Sequence, residues 1–187
     1  MHHYSYHLRS ENHIVEAWKR YPWLFEKFSK WESIEARYFL LEYLSKMYWY
    51  NWMLTQDAEW VPLPVETLSG EVIYWSLSHS AHYVAYCVWS SAVGIDIAEI
   101  DERDESLLST HSDAEYTLLG WAWWRSFYIL WTAKESIIKL IGSTLETMGE
   151  IRLVWSLSKD NFQYDYWWIS YTVSTFQDHN ITLSYTY

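Results

Sequence analysis

Hydrophobic positions along the chain follow two helical periods and several strand-length runs. Over residues 33–48, Ala36, Leu40, Tyr43, Leu44 and Met47 share one stripe, while Glu35, Glu42, Ser45 and Lys46 lie away from it. Over residues 127–141, Phe127, Leu130, Trp131, Ile137, Ile138 and Ile141 recur at steps of 3, 4 and 7, and Gly142 stands where a C-cap belongs. The runs 72–77, 83–88 and 93–97 have strand length, and 83–88 is apolar throughout, as in a strand covered on both faces. Near the C-terminus, Ile169, Tyr171 and Val173 alternate with Ser170, Thr172 and Ser174. Ile181, Leu183 and Tyr185 do the same with Thr182, Ser184 and Thr186, which predicts two final strands. Residues 51–70 hold Pro62 and Pro64 and read as loop or sheet edge; the acidic run 99–105 reads as a solvated loop. Residues 1–33 are polar and aromatic with no clear period. Helices and strands mix without a regular βαβ rhythm, so the predicted class is α+β.

Composition narrows the function. With 187 residues, half of them hydrophobic, the chain suits one sizeable domain or two small lobes, and is too apolar to stay disordered. No stretch approaches the ~20 apolar residues of a membrane-spanning helix. The start Met1-His2-His3-Tyr4-Ser5 lacks a basic stretch followed by an apolar run, so no signal peptide is expected. Cys87, the one cysteine, has no partner for an internal disulfide, which favours the cytoplasm. The net charge of −11 sets the surface against a phosphate backbone, so nucleic acid is not the expected partner.

Three segments hold candidate chemistry: Ser76-Leu77-Ser78-His79-Ser80 at a strand end, Val93-Gly94-Ile95-Asp96 at a strand start, and Trp131-Thr132-Ala133-Lys134-Glu135-Ser136-Ile137-Ile138-Lys139 on the second helix. Each has a plain structural reading. Glu135 and Lys139 at i,i+4 would make an ordinary surface pair, Lys134 on the apolar stripe a lysine snorkelling from the core edge, and Asp96 a strand-end residue. His79 is most simply a hydrogen-bonded structural histidine. The functional reading makes Asp96 and Glu135 the one or two carboxylates that Mg²⁺ takes alongside phosphate oxygens. No His/Cys array suits zinc, and neither a Gly-rich phosphate loop nor a Gly-x-Ser-x-Gly elbow occurs.

Taken in order, Ser-His-Ser, Val-Gly-Ile-Asp and Trp-Thr-Ala-Lys-Glu-Ser-Ile-Ile-Lys resemble the motifs of the 4′-phosphopantetheinyl transferases. The likeness runs from about Arg37 to Gly142 and more loosely into the final strands. By length the chain is nearer the two-lobed surfactin-type enzymes than the shorter trimeric holo-acyl-carrier-protein synthases. The resemblance implies two similar lobes related by a pseudo-twofold, each a small antiparallel sheet on a long helix. Residues 1–92 would serve the 3′-phosphate of coenzyme A, and 93–187 the metal and pyrophosphate. It implies an Mg²⁺-dependent transfer of phosphopantetheine from coenzyme A to a serine of an acyl or peptidyl carrier protein, with loss of 3′,5′-ADP, by a monomer. Carried over, Asp96 and Glu135 would bind Mg²⁺, with Glu135 also a candidate base. Lys139 and Lys134 would neutralise the pyrophosphate, Ser78 and His79 would hold the 3′-phosphate, and Arg37 would offer a further basic contact. Glu115 matches the family's Ser-x-x-Glu segment.

Two departures stand out. The usual Asp-x-Glu is broken by Ala98, with the acid displaced to Glu99 on the opposite strand face, the synthase-like spacing. Gly-Lys-Pro appears as Trp60-Val61-Pro62, without the lysine. These leave a catalytically degenerate coenzyme A- or carrier-binding module as the alternative; an aromatic-rich binding protein draws support from aromatic content alone. The tryptophans form a separate puzzle: 15 Trp against 5 Gly, where glycine usage is ordinarily about 7%. Trp52, Trp60, Trp89, Trp121, Trp123 and Trp124 fall at turn-like places, where glycine would be ordinary chemistry. One explanation is glycine codons, such as a reassigned UGA, read as Trp. Trp131 belongs to the motif and is expected to be genuine.

Overall fold

The computed structural model describes residues 3–28, 30–48, 54–57, 61–120 and 123–187. The chain divides into two compact units, Met1–Ala92 and Val93–Tyr187.

The first unit runs β1 (His3–Leu8), α1 (Glu11–Arg20), α2 (Trp23–Lys27), α3 (Trp31–Tyr48), β2 (Val65–Glu66), β3 (Val72–His79) and β4 (Tyr83–Trp89). Its antiparallel sheet has the order β1-β4-β3-β2. Leu40, Leu41 and Leu44 of α3 join Trp75, Tyr86 and Val88 of the sheet in one core. The inward face of β1 is unusual: His3 stacks on Tyr43 at 4.3 Å and His7 on Phe39 at 4.0 Å. Glu35, off the predicted apolar stripe of α3, is in fact buried. Its carboxylate accepts from Arg9 Nε (3.0 Å) and the Ser10 N–H (2.9 Å) and meets His13 Nδ1 at 2.8 Å, which answers the cost of burying the charge.

The second unit runs β5 (Gly94–Glu99), a 3₁₀ turn (Glu105–Thr110), α4 (Asp113–Leu119), α5 (Trp124–Ile141), another 3₁₀ turn (Leu145–Glu150), β6 (Ile151–Ser156), β7 (Asn161–Tyr166), β8 (Ile169–Gln177) and β9 (Ile181–Thr186). Its antiparallel strands are ordered β5-β9-β8-β7-β6. In both units the first strand is followed by helices and then a meander whose last strand returns beside the first, so one connectivity is used twice. The class is α+β with two antiparallel sheets. Leu130, Ala133 and Ile137 of α5 pack on Ile151, Phe162, Tyr164 and Val173. Gly142, at φ +64°, closes α5 as the spacing predicts, its N–H bonding to the Ile138 carbonyl.

The hydroxyl row of β9, not its aliphatic row, faces α5. Thr175 and Ser184 approach at 2.9 Å, Ser184 and Thr132 at 2.8 Å, and Thr132 Oγ1 donates to the Tyr128 carbonyl at 2.8 Å, all buried. A hydroxyl has one proton to give, so the direction is fixed: Thr175 donates to Ser184, Ser184 to Thr132, Thr132 to the carbonyl. Ile181 and Leu183 on the other face of β9, and Ile95 and Ile97 of β5, are also buried.

Among the described residues, no helix is long and apolar enough to cross a membrane. Of the turn-like tryptophans, Trp52, Trp60 and Trp121 lie outside the described residues. Trp124 is no loop residue: it opens α5, buried against Phe127. Trp123 precedes it as the exposed N-cap, and Trp89 ends β4.

Candidate active site

Position 94 lets strand and helix meet. A Cβ there would lie 1.8 Å from the Ser136 carbonyl oxygen and 2.9 Å from the Leu140 nitrogen, so only glycine allows β5 to lie backbone-to-backbone on α5. Asp96, two residues on, shares the helix-facing side of β5 with Gly94. Lys139 Nζ donates to Asp96 Oδ1 at 2.7 Å and to the Ile95 carbonyl at 3.1 Å, so it reaches across to the strand. Glu135, one turn earlier on α5, is largely withdrawn from water. Burial and the neighbouring Asp96 carboxylate push its pKa up to about 7, with Lys139 pulling the other way. Asp96, Glu135 and Lys139 are thus brought together.

Two hard oxygen donors side by side, one of them with its ionisation opposed by the other's charge, form a set suited to a divalent cation completed by phosphate and water oxygens. Among the described residues no third His, Cys, Asp or Glu joins them in a metal-holding group. Glu99 shares its strand face with Ile95 and Ile97, opposite Asp96. Ala98, on the Asp96 face, packs at the edge of the unit's hydrophobic core.

Lys134 goes elsewhere. It does not snorkel: it is 2% exposed, and its ammonium lies 2.8 Å from Glu115 Oε1. Ser112 and Glu115 form the capping box that starts α4. Glu115 Oε2 accepts from the Ser112 N–H and hydroxyl (both 3.0 Å), and Oε1 also accepts from the Leu153 N–H of β6 (3.0 Å). Burial alone would raise the Glu115 pKa; the bonds from Lys134, Leu153 and Ser112 overcome it and hold the carboxyl below its usual range. The pair borders a cavity of about 530 Å³ that Ser112, His111 and Arg152 also line. His111 is buried with neither ring nitrogen bonded, and burial, then the Lys134 charge, lower its pKa to about 4 against the pull of Glu115.

In the first unit, Ser78 is buried near the end of β3 and His79 closes it, exposed. Arg37 turns inward. Its guanidinium lies 3.9 Å from the Phe28 ring centroid and donates to the Ser33 carbonyl (3.0 Å) and Gln56 Oε1 (2.9 Å). Sequence reasoning missed the pairing of Arg9 with buried Glu35 in this unit. It also missed Glu115 as the partner of Lys134, although the Ser112-Asp113-Ala114-Glu115 spacing is that of a capping box.

The family model of the 4′-phosphopantetheinyl transferase superfamily matches residues 92–177, a span holding Gly94, Asp96, Glu115, Glu135 and Lys139. No curated protein matches the chain significantly.

Proposed function

We propose that the chain, whose residues 92–177 match the family model of the 4′-phosphopantetheinyl transferase superfamily, moves the phosphopantetheine arm of coenzyme A onto a serine hydroxyl of an acyl or peptidyl carrier protein. The observation that supports this most is the meeting of Asp96, Glu135 and Lys139 where β5 lies on α5. Asp96 and Glu135 would hold Mg²⁺, which when bound supplies Lewis-acid charge against the pyrophosphate. Lys139, already turned toward this point, neutralises pyrophosphate oxygens. Glu135, the carboxylate of this set one turn before Lys139 on α5, would accept the serine proton directly or through water. The serine oxygen then bonds to the β-phosphorus as its bond to the bridging oxygen breaks, and that electron pair leaves with 3′,5′-ADP. Ser78 and His79 are assigned the 3′-phosphate. Arg37 is left out, because its guanidinium is turned into the first unit, where both terminal nitrogens are bonded.

The test is a mass-shift assay on a panel of apo carrier proteins with coenzyme A and Mg²⁺. Gain of the phosphopantetheine arm on at least one is expected. Asp96→Asn should keep binding coenzyme A while transfer collapses; normal turnover by that variant would sink the mechanism. Coenzyme A binding with no transfer to any carrier would favour the degenerate module.

A further inference from the structure

How Glu135 comes to face Asp96 depends on two ties that hold α5, an argument that rests on the transferase reading. On one side of Glu135 in the chain, the Ser136 carbonyl lies against Gly94 of β5 with no room for a Cβ. On the other, Lys134 reaches Glu115, which is bonded in turn to Ser112 at the start of α4 and to the Leu153 N–H of β6. Successive helix residues point about 100° apart, so contacts at 134 and 136 fix the rotation of the residue between them. Lys134 is fully buried, and Glu115 is its ion-pair partner.

We propose that Lys134 and Glu115 are positioning residues: the pair sets the rotation of α5 that points Glu135 and Lys139 at Asp96, and Lys134 does not bind coenzyme A. The test compares Lys134→Met, the double variant Glu115→Gln/Lys134→Met, and Lys139→Met. Coenzyme A Kd is read by calorimetry, and kcat and the coenzyme A KM in the transfer assay.

Lys134→Met leaves Glu115 buried without its counter-charge. It should lower kcat, referred to the folded fraction that the calorimetric stoichiometry of coenzyme A binding counts, about tenfold or more with the coenzyme A KM nearly unchanged; simple loss of folded protein would leave that corrected kcat as it was. The double variant leaves no orphaned charge, so it should fold even if the single variant does not; it should bind coenzyme A as the parent does but, without the tie, keep a lowered kcat. Lys139→Met should weaken coenzyme A about tenfold or more. A double variant that binds coenzyme A as weakly as Lys139→Met would make Lys134 a phosphate ligand and overturn the proposal. So would an unchanged kcat in Lys134→Met. Unaltered coenzyme A affinity in Lys139→Met would instead count against the transferase reading itself.

A different observation carries a second inference. The hairpin joining β7 to β8 pairs Tyr166 with Ile169, leaving Trp167 and Trp168 as a two-residue turn. Trp167 has φ +57° and, among the described residues, no other non-glycine has positive φ. Positive φ at the first turn position alone is the type II′ pattern, in which that position is glycine; for a bulky residue the conformation is an outlier. Trp167 is also 65% exposed and Trp168 82%, with one bond from Trp167 Nε1 to Glu150 at 2.6 Å as compensation.

We infer that residue 167 is glycine in the protein made by its own cells, its codon a UGA reassigned to glycine. The coding triplets and the mass of the 167-containing peptide from the native protein decide it. UGA at 167 with a glycine-mass peptide is expected, alongside UGG at buried Trp75 and Trp124. UGG at 167, or a tryptophan-mass peptide, overturns the inference. Trp167→Gly in the present chain should raise Tm by a few degrees; a lower Tm would remove the conformational argument.

Discussion

Lys134 and Lys139 leave the same helix and hold carboxylates at nearly the same distance, 2.8 and 2.7 Å. Their surroundings differ in every other respect. The Lys134–Glu115 side chains are 2% and 5% exposed, and Glu115 takes further bonds from two elements. The Lys139–Asp96 side chains are 29% and 10% exposed, with Glu135 beside them at the expense of its own ionisation. The first pair has every oxygen engaged and suits a fixed joint. The second keeps two carboxylates in mutual repulsion that an incoming cation relieves. Distance alone says little about what an ion pair does; its exposure and the charges beside it say much more.

This contrast breaks most visibly at Glu115. Removing one partner of a buried pair costs about 3–5 kcal/mol, so Glu115→Ala should lower stability by that amount in denaturant melts. His111, beside the closed pair, is expected to make that region acid-sensitive. Above its ordinary pKa of 6.5, folded and unfolded chains both leave it neutral. Between 6.5 and about 4 only the unfolded chain takes up the proton, so stability falls as pH falls through that window. The full loss is of order 3 kcal/mol, and His111→Phe should flatten the slope of stability against pH there.

At the open pair, Lys139→Ala should cost about 1.5–3 kcal/mol of phosphate interaction, one to two decades in coenzyme A affinity or transfer rate. Lys19→Ala, at an exposed lysine paired with Glu16, should change neither. Smallest of all is the stability effect of Asp96→Asn, expected below about 1 kcal/mol because the pair is partly open to water. A loss as large as at Glu115 would erase the distinction between the two pairs.

The helix α5, its glycine cap and strands β5 and β8 were legible because period and punctuation agree with packing; β9 was legible as a strand, although its hydroxyl row and not its aliphatic row meets α5. Strand β1 was not. Its inward residues His3, Ser5 and His7 pack through ring stacking on Tyr43 and Phe39, so no apolar alternation marks the strand. Helix α1 was hidden by the same polar-aromatic composition, although Ser10 caps it through a bond from the Asn12 N–H. In β6 only Ile151 and Leu153 alternate inward before the register shifts at Trp155. Lys134 and Glu35 were misplaced for one reason: their partners are distant in sequence, and periodicity places charges by face alone. The residues of the open pair were legible because their motif spacing is local on α5 and β5. The inward turn of Arg37 depends on Phe28 and Gln56, which no local pattern ties to it.

The hydroxyl chain from Thr175 through Ser184 and Thr132 to the Tyr128 carbonyl bears on how the second unit can move. Helices packed on aliphatic sheets can slide, because one methyl contact replaces another at little cost. Here a small shear of α5 along β9 would separate Thr132 from Ser184 and strand buried hydroxyls with no water to replace the lost bond. The seam therefore acts as a gear tooth where most such interfaces are greased, and whatever adjustment a bound ligand demands must come from side chains such as that of Lys139, not from travel of the helix that carries it.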